Sequence, residues 1–484
     1  MRLRRFLYPF LMLTATFALL YFSLPNDVNE TEPAQAQSTP AQTQVSAAST
    51  VPETGKESTA AVVGSTARST AASAAAATTA STTTASATVT AAAAKPVQGS
   101  VSATTAAVPP KDVSAPLRAV WVSFIEIPKA TVTQEKYTAA ADDMFAAIAK
   151  AGFNAAFVHV RPFADSTYPS KLFPWAKLLT GTQGKAPAYD PLAILLQSAK
   201  KHGVQFHAWL NPFRVKSDGT DETTLSADNP ARKWLSAPDA KAKGLVVKTA
   251  GGIYFNPAAP EVHALIYSGV REILRGYDVD GIHLDDYFYP SQDVSIDSIQ
   301  YNSYKRGGGT LTPDNWRRAS INTFVAGLYQ TIKSENPSVV FSISPGGNMQ
   351  RNYNSLYADV ACWVSTPGYV DMIIPQLYYG FENQSMPFEK ITEQWNDLVT
   401  LPSVKLALGL AVYKAGENDR YAGRGGQEWQ NNSNIIARQA AFAQSLNRGI
   451  GLALYSYAYV FGNKETPAVS AELAKLYAGG VWRP

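Results

Sequence analysis

From residue 117 onward the chain alternates short apolar runs with stretches whose apolar residues recur every three or four positions. The first pattern fits strands buried on both faces, and the second fits amphipathic helices. The first run is RAVWVSF at 118–124. A helix is predicted over 134–150, where Tyr137, Ala141, Met144, Phe145 and Ile148 share one face. Further strands are predicted over 155–161, 204–210, 279–284, 339–344, 372–377, 405–411 and 451–456. Helices fall between them, beginning at 191 and at 313 and covering 261–275, 387–399 and 434–447. Two helix starts are sharply punctuated: Asp190 precedes Pro191, and Thr312 precedes Pro313. A capping side chain followed by proline at the first helical position is a strong start signal, and Gly203 supplies the matching stop. Mostly apolar strands alternating with helices predict a closed parallel (β/α)8 TIM-type barrel with loop insertions over 112–484. An open doubly wound sheet is the competing layout. Against it, neither a glycine-rich dinucleotide fingerprint nor a phosphate loop follows the first strand.

The pattern fails before residue 112. Residues 30–111 are nearly all Ala, Thr, Ser, Val, Pro and Gln, with almost no large apolar side chain. Such a segment cannot bury enough surface to offset the entropy of ordering it, so it reads as a disordered linker, either a tether or a passive spacer. Ahead of it, Arg2, Arg4 and Arg5 precede an apolar run over 6–24. That run is long enough to span a bilayer, and the basic flank would stay in the cytoplasm. The small-x-small triplet Ala34-Gln35-Ala36 lies too far beyond the run for a normal cleavage site. Residues 1–29 therefore read as a transmembrane anchor in preference to a cleaved signal sequence. Either way the rest of the chain is expected outside the cytoplasm, held at the cell membrane or secreted.

Charge and cysteine content narrow the partners a little. The formal net charge is +4, from 42 basic and 38 acidic residues, and no long basic run is interleaved with aromatics. Nucleic acid is thus not an expected partner. Cys362 is the sole cysteine, which excludes an intramolecular disulfide and a cysteine-based zinc site. It reads as a buried bystander.

In such a barrel, the loops after each strand build the active site. Here they carry Arg161 and Asp165 after the second strand, and Trp209, Asn211 and Arg214 at the third. Asp285, Asp286, Tyr287 and Tyr289 follow the fourth, and Gln376 and Tyr378 end the sixth. Aromatic faces pack on sugar rings while amide and guanidinium groups meet hydroxyls, so this rim suits a polysaccharide. Arg161, Trp209, Asn211, Arg214, Tyr287, Tyr289, Gln376 and Tyr378 are the expected substrate contacts. The adjacent carboxylates Asp285 and Asp286 are the sharpest signal, since folding alone has no need for two like charges at a strand end. Glycoside cleavage requires one ionised and one protonated carboxyl group. Asp285, on the same strand face as His283, is the candidate for the ionised group. Because neighbours on a strand point apart, the acid is either Asp286 or a residue from another loop: Asp165, Glu126 or Glu382, in that order. His159, His207 and His283 could converge on a metal, but no HxH or HExxH spacing is present, and packed histidines are the simpler reading. No metal or other cofactor is expected.

The runs YDVDGIHLDDYFYP (277–290), HVRPFADSTYPS (159–170), AWLNPFR (208–214), SISPGGNMQRN and IIPQLYYG together resemble the glycosyl-hydrolase-like family ten, over roughly 115–480. The family's members include divisome-localised glycosidases that act on bacterial cell-wall glycan. The resemblance implies a (β/α)8 barrel, an exported location and peptidoglycan glycan strands as substrate, particularly strands stripped of stem peptides. It also points to Asp285 and Asp286 as the catalytic centre. Ala164-Asp165-Ser166 stands where many relatives carry Gly-Asp-Ala, with the aspartate retained. GIHLD is similar to the Gly-Phe-Arg-x-Asp pattern of α-amylase-type enzymes, but His283 replaces the arginine, so that mechanism does not carry over. Two other readings stay open: a barrel that binds glycan without cutting it, and a metal-dependent hydrolase or deacetylase.

Overall fold

The computed structural model describes residues 116–480 except Ala250 and Asn447, together with Trp482. The expected anchor and linker, and the first residues of the expected catalytic domain, lie outside the described residues. Among the described residues no helix is long and apolar enough to cross a membrane.

The strands are β1 (Arg118–Val122), β2 (Ala155–Arg161), β3 (Gln205–Leu210), β4 (Arg214–Lys216), β5 (Val246–Thr249), β6 (Gly252–Phe255), β7 (Gly281–Leu284), β8 (Val340–Ile343), β9 (Met372–Ile373), β10 (Lys405–Ala411) and β11 (Gly451–Tyr455). Eight of them close a parallel barrel in the order β1-β2-β3-β7-β8-β9-β10-β11, as the apolar runs predict. The remaining three form a small antiparallel sheet, β4-β6-β5, inserted between β3 and β7. Its three- and four-residue strands are too short to show a period, so the hydrophobic pattern does not predict them.

Alternation along each barrel strand separates two apolar regions. Val120, Val158, Ala208, Ile282, Phe341 and Leu408 face the surrounding helices and belong to the main core. Ala119, Trp121, Phe157, Trp209, Ile374 and Ala453 fill the barrel interior. Helix α1 (Gln134–Lys150) buries the five residues its periodicity singles out. The Asp190 side chain accepts hydrogen bonds from the Leu192 and Ala193 N–H groups and so starts α2 (Pro191–Lys201). Thr312 does the same for α3 (Pro313–Glu335) through the Asn315 N–H. The sixth barrel strand is shorter than the predicted 372–377. It pairs regularly only at Met372–Ile373, because Pro375 has no N–H to give a ladder, and beyond it Gln376 makes isolated bridges to Gly346 and Gly409.

One glycine is required by interior packing. A Cβ on Gly281 would lie 2.0 Å from Nδ1 of His207, whose ring is fully buried inside the barrel. Gly281→Ala is therefore expected to lower stability by about 1–3 kcal/mol, the usual range for overpacking a core. Urea denaturation would measure it, and a variant as stable as wild type would show that the interior yields.

Candidate active site

Strand β7 carries its side chains alternately inward and outward, and Asp285 follows His283 to the inside. Asp285 Oδ2 accepts a hydrogen bond from Trp209 Nε1 at 3.2 Å and another from Asn211 Nδ2. Its Oδ1 accepts from the Tyr287 N–H at 3.3 Å. Asp286 turns the other way, where Gln376 Nε2 donates to its Oδ1 at 3.3 Å and also to the Ser344 carbonyl at 3.1 Å. Asp285 is 4% exposed, whereas Asp286 is partly open to solvent. The pair thus straddles the end of β7, one carboxylate held by β3 and its loop, the other beside the end of β9.

Burial pushes the Asp285 carboxyl up to about 7, the charge of Asp286 adds to this, and the Arg214 guanidinium works against it. Burial also raises Asp286, opposed first by the charge of Arg351. Two adjacent carboxyl groups of this kind hold one proton between them near neutral pH. The hydrogen bonds place it. Three N–H donors face Asp285 and favour its anion, so the proton belongs on Asp286. An ionised and a protonated carboxyl group, side by side in a barrel mouth, form an acid–base unit.

A buried network fixes Asp285. The Phe124 N–H donates to His159 Nδ1 at 3.3 Å, which leaves the His159 proton on Nε2, and this donates to Asn211 Oδ1 at 3.0 Å. Burial holds His159 well below the ordinary imidazole range, so it stays neutral. Arg214 Nη2 also donates to Asn211 Oδ1, and its Nε to the Pro162 carbonyl at 3.0 Å. With its oxygen occupied on both sides, Asn211 must present its NH2 to Asp285. The Arg214 guanidinium lies against the rings of Phe163 and Tyr287, at 4.7 and 5.0 Å.

The structure brings Asp285, Asp286, Trp209, Asn211, Arg214, Tyr287, Gln376 and Tyr378 to one mouth. Other expected residues have different surroundings. Trp209 and Tyr289, anticipated as sugar-stacking faces, are 5% and 3% exposed. Trp209 stacks on His159 and donates to Asp285; Tyr289 donates to Asp297. Asp165 is 2% exposed and accepts from Gln183 Nε2 at 2.9 Å and the Lys177 N–H at 3.3 Å, so it anchors its own loop. Arg161 is equally buried, over the Phe173 ring. Glu126 binds the Ser123 and Ala458 N–H groups and the Ser456 hydroxyl, tying β1 to β11. Glu382 is exposed. Cys362 is half-buried instead of buried.

The three histidines line one interior but serve protein partners. His283 accepts from Trp121 Nε1 at 3.1 Å, bonds the Ser342 hydroxyl at 2.8 Å and stacks on Phe157. His207 packs edge-on to Phe157 and bonds Gln205. Among the described residues no cluster of three or more His, Cys, Asp or Glu has the spacing of a metal site. Sequence reasoning gave no role to Arg351, Tyr413 or Glu428. Tyr413 packs edge-on to Tyr378 at 5.8 Å and joins an aromatic group with Tyr455. Glu428 is buried and binds the Phe381 and Glu382 N–H groups, which fixes the loop after Tyr378.

Comparison with known proteins bears on the family and the barrel. The family model described as Glycosyl hydrolase-like 10 matches residues 116–423. Glycosyl hydrolase YngK of Bacillus subtilis (strain 168) is 36% identical over 331 residues, which are 62% of this chain and 62% of that protein. Glycosyl hydrolase DigH of Escherichia coli O6:H1 is 30% identical over 391 residues, 73% of this chain and 86% of that one. The PgaB (BpsB) glycoside hydrolase domain from Bordetella bronchiseptica superposes with a TM-score of 0.50 at 14% identity, covering 74% of this chain and 98% of the domain. At that identity the likeness speaks for the barrel alone.

Proposed function

The chain belongs to the glycosyl hydrolase-like 10 family, and from that premise we propose that it hydrolyses glycosidic bonds in bacterial cell-wall glycan outside the cytoplasm, with Asp285 and Asp286 as its working carboxylates. The observation that carries this reading is the pair itself. Asp285 is buried and faced by three donors, and the partly exposed Asp286 adjoins it. One ionised and one protonated carboxyl group are what glycoside cleavage requires. Cell-wall glycan is favoured by the motif resemblance at 159–170, 208–214 and 277–290. The basic flank and apolar run at the N-terminus support an extracytoplasmic location with membrane attachment.

The test is to incubate the full-length protein with peptide-free and peptide-bearing peptidoglycan glycan and to read the products by mass spectrometry. Shorter glycans are expected from wild type, not from Asp285→Asn, and a chelator should make no difference. Tight binding without cleavage would replace this reading with a glycan-binding barrel. Inhibition by the chelator would favour a metal-dependent hydrolase.

A further inference from the structure

Most carboxylates on the loops at the strand ends already have protein work. Glu126 accepts three hydrogen bonds across β1 and β11. Asp165 anchors the loop after β2, Asp297 pairs with Arg317, Asp419 with Lys414, and Glu428 holds two backbone N–H groups. Glu382 is exposed on its loop. Asp285 and Asp286 are the carboxylates whose contacts with Trp209 and Gln376 place them at the barrel mouth.

A glycosidase that forms a covalent intermediate needs its two carboxyl groups on opposite sides of the reacting carbon, and an inverting one needs a water between them. Asp285 and Asp286 hang from consecutive Cα atoms, about 3.8 Å apart, and turn away from each other, toward Trp209 and toward Gln376. They cannot close on a sugar ring from two faces. Asp285 is moreover 4% exposed, with both oxygens already accepting hydrogen bonds. A carboxylate so enclosed, with both oxygens engaged, is better suited to accept one more hydrogen than to bond a ring carbon. Neither carboxylate of the pair is thus well placed to be the nucleophile. Beside the pair lie aromatic rings: Tyr378 is 6.1 Å from Tyr455, which is 6.1 Å from Trp121. Tyr378 is close enough to both carboxylates to feel their charge. Apolar walls with a phenol beside a buried anion suit an acetamido group, whose methyl packs on rings and whose N–H needs an acceptor.

We propose that this protein acts on 2-acetamido sugars and uses the substrate's own acetamido oxygen as nucleophile, with Asp285 holding the acetamido N–H and Asp286 acting as the acid. This rests on the glycoside hydrolase reading above. The acetamido oxygen bonds to C1 as the C1–O bond to the leaving group breaks. The bonding pair goes to the leaving oxygen, which takes the Asp286 proton. Asp285 accepts the N–H and balances the positive charge of the resulting oxazolinium ring. Water then attacks C1, giving its proton to Asp286 while the ring opens back to the acetamide. The sum is glycoside plus water giving two sugars, with configuration retained.

The experiment uses full-length protein and one peptide-free glycan in three forms: native, chemically N-deacetylated, and deacetylated then re-acetylated. Deacetylation should slow cleavage by at least about 100-fold, since it removes an intramolecular nucleophile, and re-acetylation should restore it. Freshly released reducing ends, read by NMR, should keep the configuration of the cleaved bond, and a thiazoline analogue of the sugar should inhibit competitively. Similar rates on native and deacetylated glycan, or inverted products, would overturn substrate assistance and leave the glycosidase intact. Failure to cleave even the native and re-acetylated glycans would overturn both.

Discussion

Asp285→Asn should lose about 10²–10³-fold in turnover, the scale of one lost group that stabilises developing charge, and yet unfold at a higher temperature than wild type at pH 8. An aspartate in an unfolded chain titrates at about 3.9, whereas in the folded barrel burial raises both Asp285, up to about 7, and Asp286, so the pair keeps one proton, carried by Asp286, to near neutral pH. Below about pH 4 both states hold the proton and the group is neutral on folding. Between about 4 and 7 the unfolded chain releases a proton that the folded chain retains, so wild-type stability declines by up to about 1.4 kcal/mol per pH unit. Above about 7 the penalty levels off. An amide at 285 removes one of the two charges from the pair and so escapes most of this. Its oxygen can still accept from Trp209 and Asn211, while its NH2 would meet the Tyr287 N–H and return part of the gain. Calorimetry at pH 4.5 and pH 8 checks the sign: the stability of the variant relative to wild type must rise with pH. A constant difference would mean that both carboxyl groups ionise without cost, and the single proton assigned to the pair would go with it. Stability given up at a working carboxyl group is a common feature of active sites.

Local signals were legible in the sequence, and distant pairings were not. The buried face of α1 and the caps at Asp190 and Thr312 are set within one or two helical turns, so periodicity and capping rules reach them. The acidic pair stood out because two like charges at a strand end have no structural excuse. Trp209 shows the limit. Strand alternation puts it inside the barrel, but only the register of β3 against β7 brings its N–H to a carboxylate 76 residues away. Position at a strand end marks Asn211 in the sequence, but its role as an amide locked by His159 and Arg214 needs three elements to meet. Asp165 was drawn into the site by its motif, whereas the fold buries it under Gln183 and Lys177 of a loop whose shape no period encodes. Glu428 and the Phe381–Glu382 loop are more than 40 residues apart and share no pattern at all.

Arg317→Ala should cost about 3–5 kcal/mol of stability, because it strands a buried carboxylate. The Arg317 and Asp297 side chains are 2% and 3% exposed and meet fork to fork, Nε to Oδ2 and Nη2 to Oδ1, both at 2.7 Å. The rest of the guanidinium is also used: Nη1 donates to the Gln292 carbonyl and the Tyr357 hydroxyl, and Nη2 to the Asp293 carbonyl. Tyr289 donates to Asp297 Oδ2 at 3.0 Å and lies with Tyr357 against the guanidinium. One side chain of α3 thereby gathers the segment that begins directly behind Asp286. Lysine at 317 keeps the charge but cannot reproduce a planar fork with this many donors, so Arg317→Lys should recover only part of the loss. The double variant Arg317→Met with Asp297→Leu should recover more, since removing both charges leaves neither unpaired. Urea denaturation of the four proteins orders them as wild type and double variant above Arg317→Lys above Arg317→Ala. An Arg317→Ala protein within about 1 kcal/mol of wild type would refute the account, as that is the scale of an exposed ion pair. If the order holds, the variants that remain folded should also turn over more slowly, because the loop that carries Tyr287 and supports Asp286 hangs from this pair.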